Sequence, residues 1–213
     1  MSEFNTQERI AVILAGGKGR RMGGRDKGEV ILHGRRLVDW VVERLAPQAD
    51  RILISGAYDY GTGLTVVADR KNGPAGPAAG LWAALCWLEN NLEGAKGFVT
   101  APVDGPFLPA DLVSALSQEQ GCAVACDESG RHPTFAFWET APLKKTLQAH
   151  PPGKGLALHA LADECNAQDV IFTPPMALMN INSPEDLAAA QTLVERGPSY
   201  GKPSNRETNG GET

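Results

Sequence analysis

Short apolar segments that alternate with helical patterns constrain the fold of this chain more than any other feature. Ile10–Leu14 is uniformly apolar and stops at a pair of glycines, which is typical of a fully buried strand. Apolar residues at helical spacing follow from Leu37 to Leu45, and Pro47 ends that helix. Three more apolar segments predict strands: Arg51–Ser55, Leu64–Ala68 and Gly97–Ala101.

The second half of the chain continues this alternation. A loop rich in glycine and proline, Asn72–Gly80, leads into a helix predicted from Leu81 to about Asn91. Further helices are predicted over Asp111–Leu116 and Leu156–Cys165. Short strands are predicted over Cys122–Cys126, Thr134–Trp138, Val170–Thr173 and Ala177–Ile181. Ser183, Pro184 and Asp186 predict the start of the last helix: a hydroxyl N-cap, a proline at the first position and an acid in the first turn.

This order of elements predicts an α/β protein, a single-domain, Rossmann-like three-layer α/β/α fold with a mostly parallel central sheet. We expect the domain to span residues 9–196. Residues 1–8 are polar and are expected to fray, while residues 197–213 show no apolar period and are expected to be disordered. Sheets of this kind bind ligands at the carboxyl ends of their strands.

Composition excludes several classes of partner. The formal net charge of −5 over 213 residues argues against general nucleic-acid binding. The four cysteines form no CxxC pair, so we interpret them as small buried residues of a reducing compartment. The N-terminus has no long apolar core, and the apolar stretch near it is too short to cross a bilayer. We therefore expect a cytoplasmic protein without a membrane partner.

The segment Leu14–Gly28, LAGGKGRRMGGRDKG, packs six glycines and five cations into fifteen residues. It is not a P-loop, because arginine rather than lysine follows Gly24, and the third glycine of a dinucleotide fingerprint falls on Met22. Gly16 and Gly17 can still bring backbone amides close to an anion. Arg21 and Lys27 can neutralise a polyphosphate, the first as a bidentate fork and the second as a point charge. The alternative is a solvated surface loop.

Polar residues follow three other predicted strands. Asp104 comes just after Gly97–Ala101 and is either a magnesium ligand beside a triphosphate or a turn residue. Asp69 follows Leu64–Ala68, and small residues from Gly76 to Gly80 would let a flat ligand approach the backbone. Asn180 and Asn182 are two apart, so both would point to one face of a strand, although asparagine there is also common in turns and caps.

With these motifs in order, the chain resembles the molybdenum cofactor guanylyltransferases, the MobA-type enzymes among the nucleotidyltransferases that carry an LAGG motif. The resemblance runs from about Ile10 to Val194. It rests on five motifs: LAGGKGRRMGGRDKG, DRKNGPAGPAAG, VDGPFLP, GRHPT and NINSPEDL. Two positions differ from the family pattern: Ser55 replaces a frequent asparagine, and VDGPF lacks a frequent cysteine.

The resemblance implies a role for each matching position. Lys27, Arg21 and Asp104 would be catalytic, with Arg21 and Lys27 on the triphosphate and Asp104 on Mg²⁺. Other nucleotide contacts would come from Leu14, Ala15, Gly16, Gly17, Ser55 and Asp69. The pterin side would be bordered by Gly76, Gly80, Asn180 and Asn182. His132, in GRHPT, would either touch the pterin or merely close the turn.

The implied reaction is guanylyl transfer from GTP to molybdopterin, which yields the dinucleotide cofactor and pyrophosphate. Implied protein partners are other proteins of molybdenum cofactor biosynthesis and apo-molybdoenzymes or their chaperones. Cytidylyl transfer to molybdopterin and nucleotidyl transfer to a sugar phosphate remain open, since the choice of base depends on backbone contacts. A non-catalytic carrier of nucleotide or pterin is the alternative of another class.

Overall fold

The computed structural model describes residues 8–16, 26–173 and 176–195. Within these ranges, seven strands form one sheet and two short strands form a separate hairpin. The strands are β1 (Ile10–Leu14), β2 (Ile31–Leu32), β3 (Arg35–Arg36), β4 (Arg51–Ser55), β5 (Thr65–Val67), β6 (Gly97–Pro102), β7 (Ala123–Asp127), β8 (Gly130–Glu139) and β9 (Gln168–Ile171). The helices are α1 (Leu37–Leu45), α2 (Pro77–Asn91), α3 (Leu112–Ser117), α4 (Thr140–Ala149), α5 (Leu158–Glu164) and α6 (Pro184–Glu195).

The main sheet has the strand order β5-β4-β1-β6-β8-β7-β9. β8 is antiparallel to both of its neighbours, and the other strand pairs are parallel. The prediction of a mostly parallel sheet is therefore confirmed. Six strands end at one edge of the sheet, and β1 lies between β4 and β6, where the chain changes direction across the sheet. A ligand is expected at this carboxyl edge.

Helices cover both faces of the sheet, which confirms the predicted three layers. In β1, Ile10 and Val12 face the core formed with α2, α4 and α5, whereas Ala11 and Ile13 face the core formed with α1 and α3. This alternation follows from the two-residue period of a strand. In the described part of the chain, no helix is long and apolar enough to cross a membrane.

A third, smaller core joins the β2–β3 hairpin to α6. It contains Leu32 from the hairpin, Ile181 from the loop before α6, and Leu193 from α6 itself. The hairpin was not predicted from the sequence, because its strands have only two residues each. This core brings the segment after Lys27 close to the segment around Asn182.

The predicted strand over Ala177–Ile181 is wrong. Met176 has a φ of +76° and begins a turn in which the Met179 amide donates to the Met176 carbonyl at 3.1 Å. The Ile181 amide then donates to the carbonyl of Asp104 at 2.8 Å. The segment is therefore a loop, fixed beside the end of β6 by a backbone hydrogen bond instead of a strand ladder.

Other predicted boundaries shift for identifiable reasons. α2 begins at Pro77 and not at Leu81, since proline is well suited to the first helical position. α4 was missed because it contains Pro142, and proline usually interrupts a helix. Pro142 lies in the first turn, where the backbone amide has no partner within the helix, so no hydrogen bond is lost. β8 begins at Gly130, so His132 lies in a strand, and an irregularity of register follows it. Three of the four free cysteines are buried, whereas Cys86 is partly exposed.

Candidate active site

The carboxyl ends of β1, β4 and β6 are joined by backbone hydrogen bonds just beyond the strands. The Ala15 amide donates to the Ser55 carbonyl at 2.8 Å, and the Val103 amide donates to the Leu14 carbonyl at 3.1 Å. The sheet therefore continues rigidly up to Ala15 and Val103. Residues that follow these positions project from a fixed platform.

Lys27 lies at the centre of the candidate site. Its Nζ donates to Asp104 Oδ2 at 2.6 Å and to Asn182 Oδ1 at 2.5 Å. The Asp104 side chain is 8% exposed and that of Lys27 is 27% exposed, so the ion pair is largely shielded from water. Three motifs that are far apart in the sequence thus meet at one cation, at the edge of the sheet where a ligand is expected.

Asn182 is held in place by the N-terminus of α6. The Asp186 carboxylate accepts hydrogen bonds from the amides of Asn182 and Ser183 at 2.8 and 2.9 Å. The Asp186 amide donates in return to Ser183 Oγ at 3.2 Å. This reciprocal capping confirms the predicted start of the last helix and fixes the residue that faces Lys27.

Asn180 lies in the same loop but is separate from the Lys27 contacts. Its Oδ1 is buried and has no hydrogen-bond partner in the described part of the chain. A buried amide oxygen without a partner is costly, which makes it a candidate for a contact with a bound ligand. The two asparagines therefore differ in their surroundings, contrary to the prediction that both share one face of a strand.

Asp26 was not considered a site residue in the sequence, yet its carboxylate orders the segment that carries Lys27. It accepts from the Gly28 amide at 2.8 Å and so caps a 3₁₀ turn over Lys27–Glu29. It also accepts from Tyr58 Oη at 2.7 Å and Tyr60 Oη at 2.8 Å. No sequence signal could have found this contact, since the two tyrosines lie more than thirty residues from Asp26.

Ser55 is buried at the end of β4, against the first turns of α2. A Cβ added at Gly80 would lie only 2.4 Å from Ser55 Oγ, so this glycine permits a close approach of helix and strand. Gly76 has a φ of +73° at the start of α2 and is exposed. Its loop is supported by a second loop, because the Gly153 amide donates to the Gly73 carbonyl at 2.9 Å.

His132 lies in a cluster on the β7–β8 hairpin, at the same edge of the sheet. Its Nε2 is 2.9 Å from Asp127 Oδ1 and 3.1 Å from Ser129 Oγ. Burial alone would raise the pKa of Asp127, but hydrogen bonds from Ser129 and His132 outweigh burial and lower this pKa. The cluster is compatible with both predictions for His132, a pterin contact or closure of the turn.

The remaining predicted residues have fewer described contacts. Gly17 and Arg21 lie outside the described residues. Gly16 is exposed beyond β1, and Asp69 is exposed beyond β5, the edge strand on that side of the sheet. Their roles stay predictions.

Comparisons with known proteins agree with this architecture. Residues 11–168 match the family described as the MobA-like NTP transferase domain. A molybdenum cofactor guanylyltransferase from Cereibacter sphaeroides is 42% identical over 194 residues, which cover 88% of this chain and 97% of the relative. One from Yersinia pseudotuberculosis is 38% identical over 183 residues, covering 82% of this chain and 91% of the relative.

The fold also matches a solved structure, that of molybdopterin-guanine dinucleotide biosynthesis protein A from Archaeoglobus fulgidus. The TM-score is 0.63 at 21% identity, and the match covers 88% of this chain and 100% of the other. At this identity the match supports the fold. The match over residues 11–168 and the relative at 42% identity show that the chain belongs to the family of MobA-like NTP transferase domains.

Proposed function

We propose that this protein is a molybdenum cofactor guanylyltransferase, which transfers a guanylyl group from GTP to molybdopterin and releases pyrophosphate. The observation that carries the proposal is the convergence of Asp104 and Asn182 on the Lys27 ammonium at the carboxyl edge of the sheet. Relatives at 42% and 38% identity bear the name of this activity. A carrier would not need a shielded cation beside a buried carboxylate.

The residues present fit a magnesium ion that is shared with the nucleotide. No group of three or more His, Cys, Asp or Glu side chains that could hold a metal occurs among the described residues. Mg²⁺ bound to nucleotides commonly takes one or two carboxylates and completes its shell with phosphate oxygens and water. Asp104 would supply the carboxylate. Asn182 Oδ1 accepts a hydrogen bond from the same Lys27 ammonium as Asp104 does, so a second oxygen faces the same position. When bound, the ion would neutralise charge on the α-phosphate.

The proposed reaction is an in-line displacement at the α-phosphorus of GTP. An oxygen of the terminal phosphate of molybdopterin forms a new bond to that phosphorus, and the bond to the bridging oxygen of pyrophosphate breaks. This phosphate is ionised at neutral pH, so no general base is needed. The work of the protein is then to position the two substrates and to neutralise charge.

Lys27 would stabilise the pyrophosphate as negative charge develops on it. In the structure its ammonium is bonded to Asp104, so binding of the triphosphate would give it an anionic partner of higher charge. Arg21 would act with it, as the resemblance implies. Since these charges are fixed before the reaction, they would lower the barrier without reorganisation.

The nucleotide would lie against the end of β1. The Ala15 amide and the Leu14 carbonyl already take part in backbone hydrogen bonds. Contacts with the base would therefore fall mainly to the Ala15 carbonyl and to Gly16, and Asp69 would contribute from β5. The pterin would lie towards Gly76, Gly80, His132 and the two asparagines. The product would pass to apo-molybdoenzymes or their chaperones in the cytoplasm.

Thermal melting with each nucleotide tests the proposal first. GTP, CTP, ATP and UTP are added at a hundred times the Kd, each with and without Mg²⁺. Binding at this level stabilises the folded chain by about 2.7 kcal/mol, or roughly 5–10 °C for a domain of this size. A shift with GTP that Mg²⁺ enhances is expected. A shift with CTP alone would indicate cytidylyl transfer instead of guanylyl transfer. The absence of a shift with every nucleotide would favour the non-catalytic carrier.

A transfer assay completes the test. Molybdopterin and α-labelled GTP should give labelled dinucleotide and one pyrophosphate for each product formed. Binding of GTP without release of pyrophosphate would contradict the proposed activity and leave only a binding role.

A further inference from the structure

Two tyrosines from the loop after β4 hold the carboxylate that precedes Lys27. Tyr58 Oη donates to Asp26 Oδ2 at 2.7 Å, and Tyr60 Oη donates to Asp26 Oδ1 at 2.8 Å. The two rings pack on each other with their centroids 4.5 Å apart. Tyr58 and Tyr60, hereafter the tyrosine pair, therefore bond one carboxylate through both of its oxygens.

Tyr60 is itself fixed from the opposite side. It is 6% exposed, and its φ of +57° is unusual for a residue other than glycine, which implies that its surroundings hold it in place. Its carbonyl accepts from the guanidinium of Arg36 at 2.8 Å. The same guanidinium forms a bidentate pair with Asp39 at the start of α1, with both distances 2.8 Å. The anchor is therefore tied to a helix.

The backbone beside Lys27 fits closely against the Tyr60 ring. A Cβ added at Gly28 would lie 2.6 Å from that ring, so the chain passes over the tyrosine without space for a side chain. The Gly28 amide donates to the same Asp26 oxygen that Tyr60 binds. Tyr60 thus fixes the position of both the Asp26 carboxylate and the 3₁₀ turn that begins at Lys27.

We propose that the tyrosine pair and Asp26 are positioning residues for guanylyl transfer, which fix the start of the 3₁₀ turn so that Lys27 points at Asp104 and Asn182. This inference rests on the proposed function for its catalytic consequence. None of the three residues needs to touch the substrate. They act through the placement of one ammonium group.

The physical reason lies in the length of the lysine side chain. Four rotatable bonds separate Nζ from the backbone, so any freedom at the backbone is passed on to the charge. A displacement of about 1 Å at a catalytic group can cost about 10²-fold in rate.

Burial and the hydrogen bond to Asp26 raise the pKa of Tyr60, and the hydrogen bond to Asp26 raises that of Tyr58. Both phenols therefore stay neutral donors at physiological pH.

The test compares Tyr58→Phe, Tyr60→Phe and the double variant with wild type. Phenylalanine keeps the ring and removes only the donor. We expect kcat of the double variant to fall by about tenfold, the scale of a modest loss of preorganisation, while the KM for GTP changes by less than about twofold. The control is Ser117→Ala, which removes a hydroxyl that donates at 2.7 Å to the Val113 carbonyl. Ser117 borders a cavity with Ile10 and Gly97 at the opposite edge of the sheet.

A second comparison separates positioning from general stability. In a Lys27→Ala background the tyrosine changes should have no further effect on kcat, because the group that they position is gone. Equal losses in both backgrounds would overturn the proposal, as would a double variant within twofold of wild type when Lys27→Ala is strongly impaired. Either result would leave the proposed function intact.

Amide exchange provides a readout that does not depend on turnover. If the tyrosine pair fixes Asp26, the Gly28 amide should exchange about tenfold faster in the double variant. The reason is that Asp26, its acceptor, would be held less firmly, so the turn would open locally more often. An unchanged exchange rate would overturn the proposal. If wild type transfers no nucleotide but this exchange accelerates, the proposed function fails and the structural role of the tyrosine pair stands.

Discussion

Lys27 is the residue on which most of the candidate site depends. Its ammonium is bonded to an anionic and a neutral oxygen, and the anion is almost fully buried. Removing one member of such a pair leaves the other buried without its partner, a larger penalty than the loss of a surface contact. Changes at this position therefore affect both the charge of the site and its local order.

Lys27→Ala and Asp104→Ala should each lower the turnover of guanylyl transfer by roughly 10² or more, the scale for loss of one preorganised charged contact. Steady-state kinetics with GTP and molybdopterin measure the effect. The matched control is Lys144→Ala, which breaks an ion pair with Glu89 of the same 2.6 Å length but on an exposed surface. Near-normal turnover in Lys27→Ala would refute the role of Lys27, and near-normal turnover in Asp104→Ala that of Asp104.

Sequence reasoning could find Lys27, Asp104 and Asn182 because each follows a recognisable apolar segment or lies in a motif. It could not find their partners. Nothing in the local sequence indicates that Tyr58 and Tyr60 bond Asp26, which is more than thirty residues away. Contacts of this kind are set by where the loop after β4 passes in the folded chain.

At the scale of elements, the close packing of α2 on β4 holds the site together. Gly80 lies in the first turns of α2, and Ser55 ends β4. The added Cβ at Gly80 would meet Ser55 Oγ at 2.4 Å, whereas the next nearest atom, Ser55 Cβ, is at 3.4 Å. The conflict would therefore come from one oxygen atom.

Gly80→Ala should lower the free energy of unfolding by about 1–3 kcal/mol, the usual cost of overpacking a close contact. Ser55→Ala in the same chain removes the oxygen and should restore at least half of the loss. Urea unfolding of the two single variants and the double variant gives this coupling as a double-mutant cycle. Gly155→Ala is the control, since an added Cβ there has no atom within 4 Å.

Additive losses in this cycle would show that α2 and β4 do not pack through Ser55 and Gly80 as described. A neutral Gly80→Ala would show the same for the helix position. Both conclusions come from unfolding alone. They therefore hold even if the variants also change activity through the ligand contacts predicted for Gly80 and Ser55.

The errors in the predicted elements have identifiable physical causes. Ala177–Ile181 has the apolar character of a strand, but a turn at Met176 and a hydrogen bond to the chain beyond β6 determine its conformation. α4 contains a proline near its start, which hides a helix from pattern reading. Uniformly apolar segments such as β1 were predicted correctly because burial on both faces leaves few alternatives.

At the scale of the whole molecule, the sequence predicted the three layers and the edge at which Lys27, Asp104 and Asn182 meet. Both follow from the alternation of strands and helices, which only a few topologies satisfy. The antiparallel β8 could not be predicted, because a strand pattern does not reveal direction. Its reversal allows β7 to end at the same edge as β1 and β6, which places the His132 cluster there.

Ionised carboxylates stabilise the fold at neutral pH through contacts with nearby residues and, for Asp50, with the distant Arg9. The guanidinium of Arg36 lowers the pKa of Asp39, and hydrogen bonds from Arg9 lower that of Asp50. Hydrogen bonds from backbone amides, first that of Gly61, lower the pKa of Asp59. In each case the folded chain binds protons less readily than the unfolded chain, where the pKa of aspartate is about 3.9.

The sign of the resulting pH dependence follows from linkage. A carboxyl group with a lowered pKa in the folded state stabilises the fold above its pKa in the unfolded state, and this contribution is lost as the pH falls through the folded-state pKa. The chain should therefore lose stability progressively below about pH 4. Asp39→Asn should be less stable than wild type at pH 7, and the difference should shrink below about pH 4 because wild-type Asp39 becomes protonated there.

Urea unfolding of wild type and Asp39→Asn at several pH values between 7 and 2.5 measures this difference. Ser114→Ala provides a control without a titrating group, because it removes only a hydroxyl that donates at 3.0 Å to the Asp111 carbonyl. Its offset from wild type should stay constant over the whole range. If the offset of Asp39→Asn is equally constant, the bidentate pair with Arg36 does not contribute to folding through the charge of Asp39. The anchor of Tyr60 would then rest on packing and on the hydrogen bond from Arg36 to the Tyr60 carbonyl.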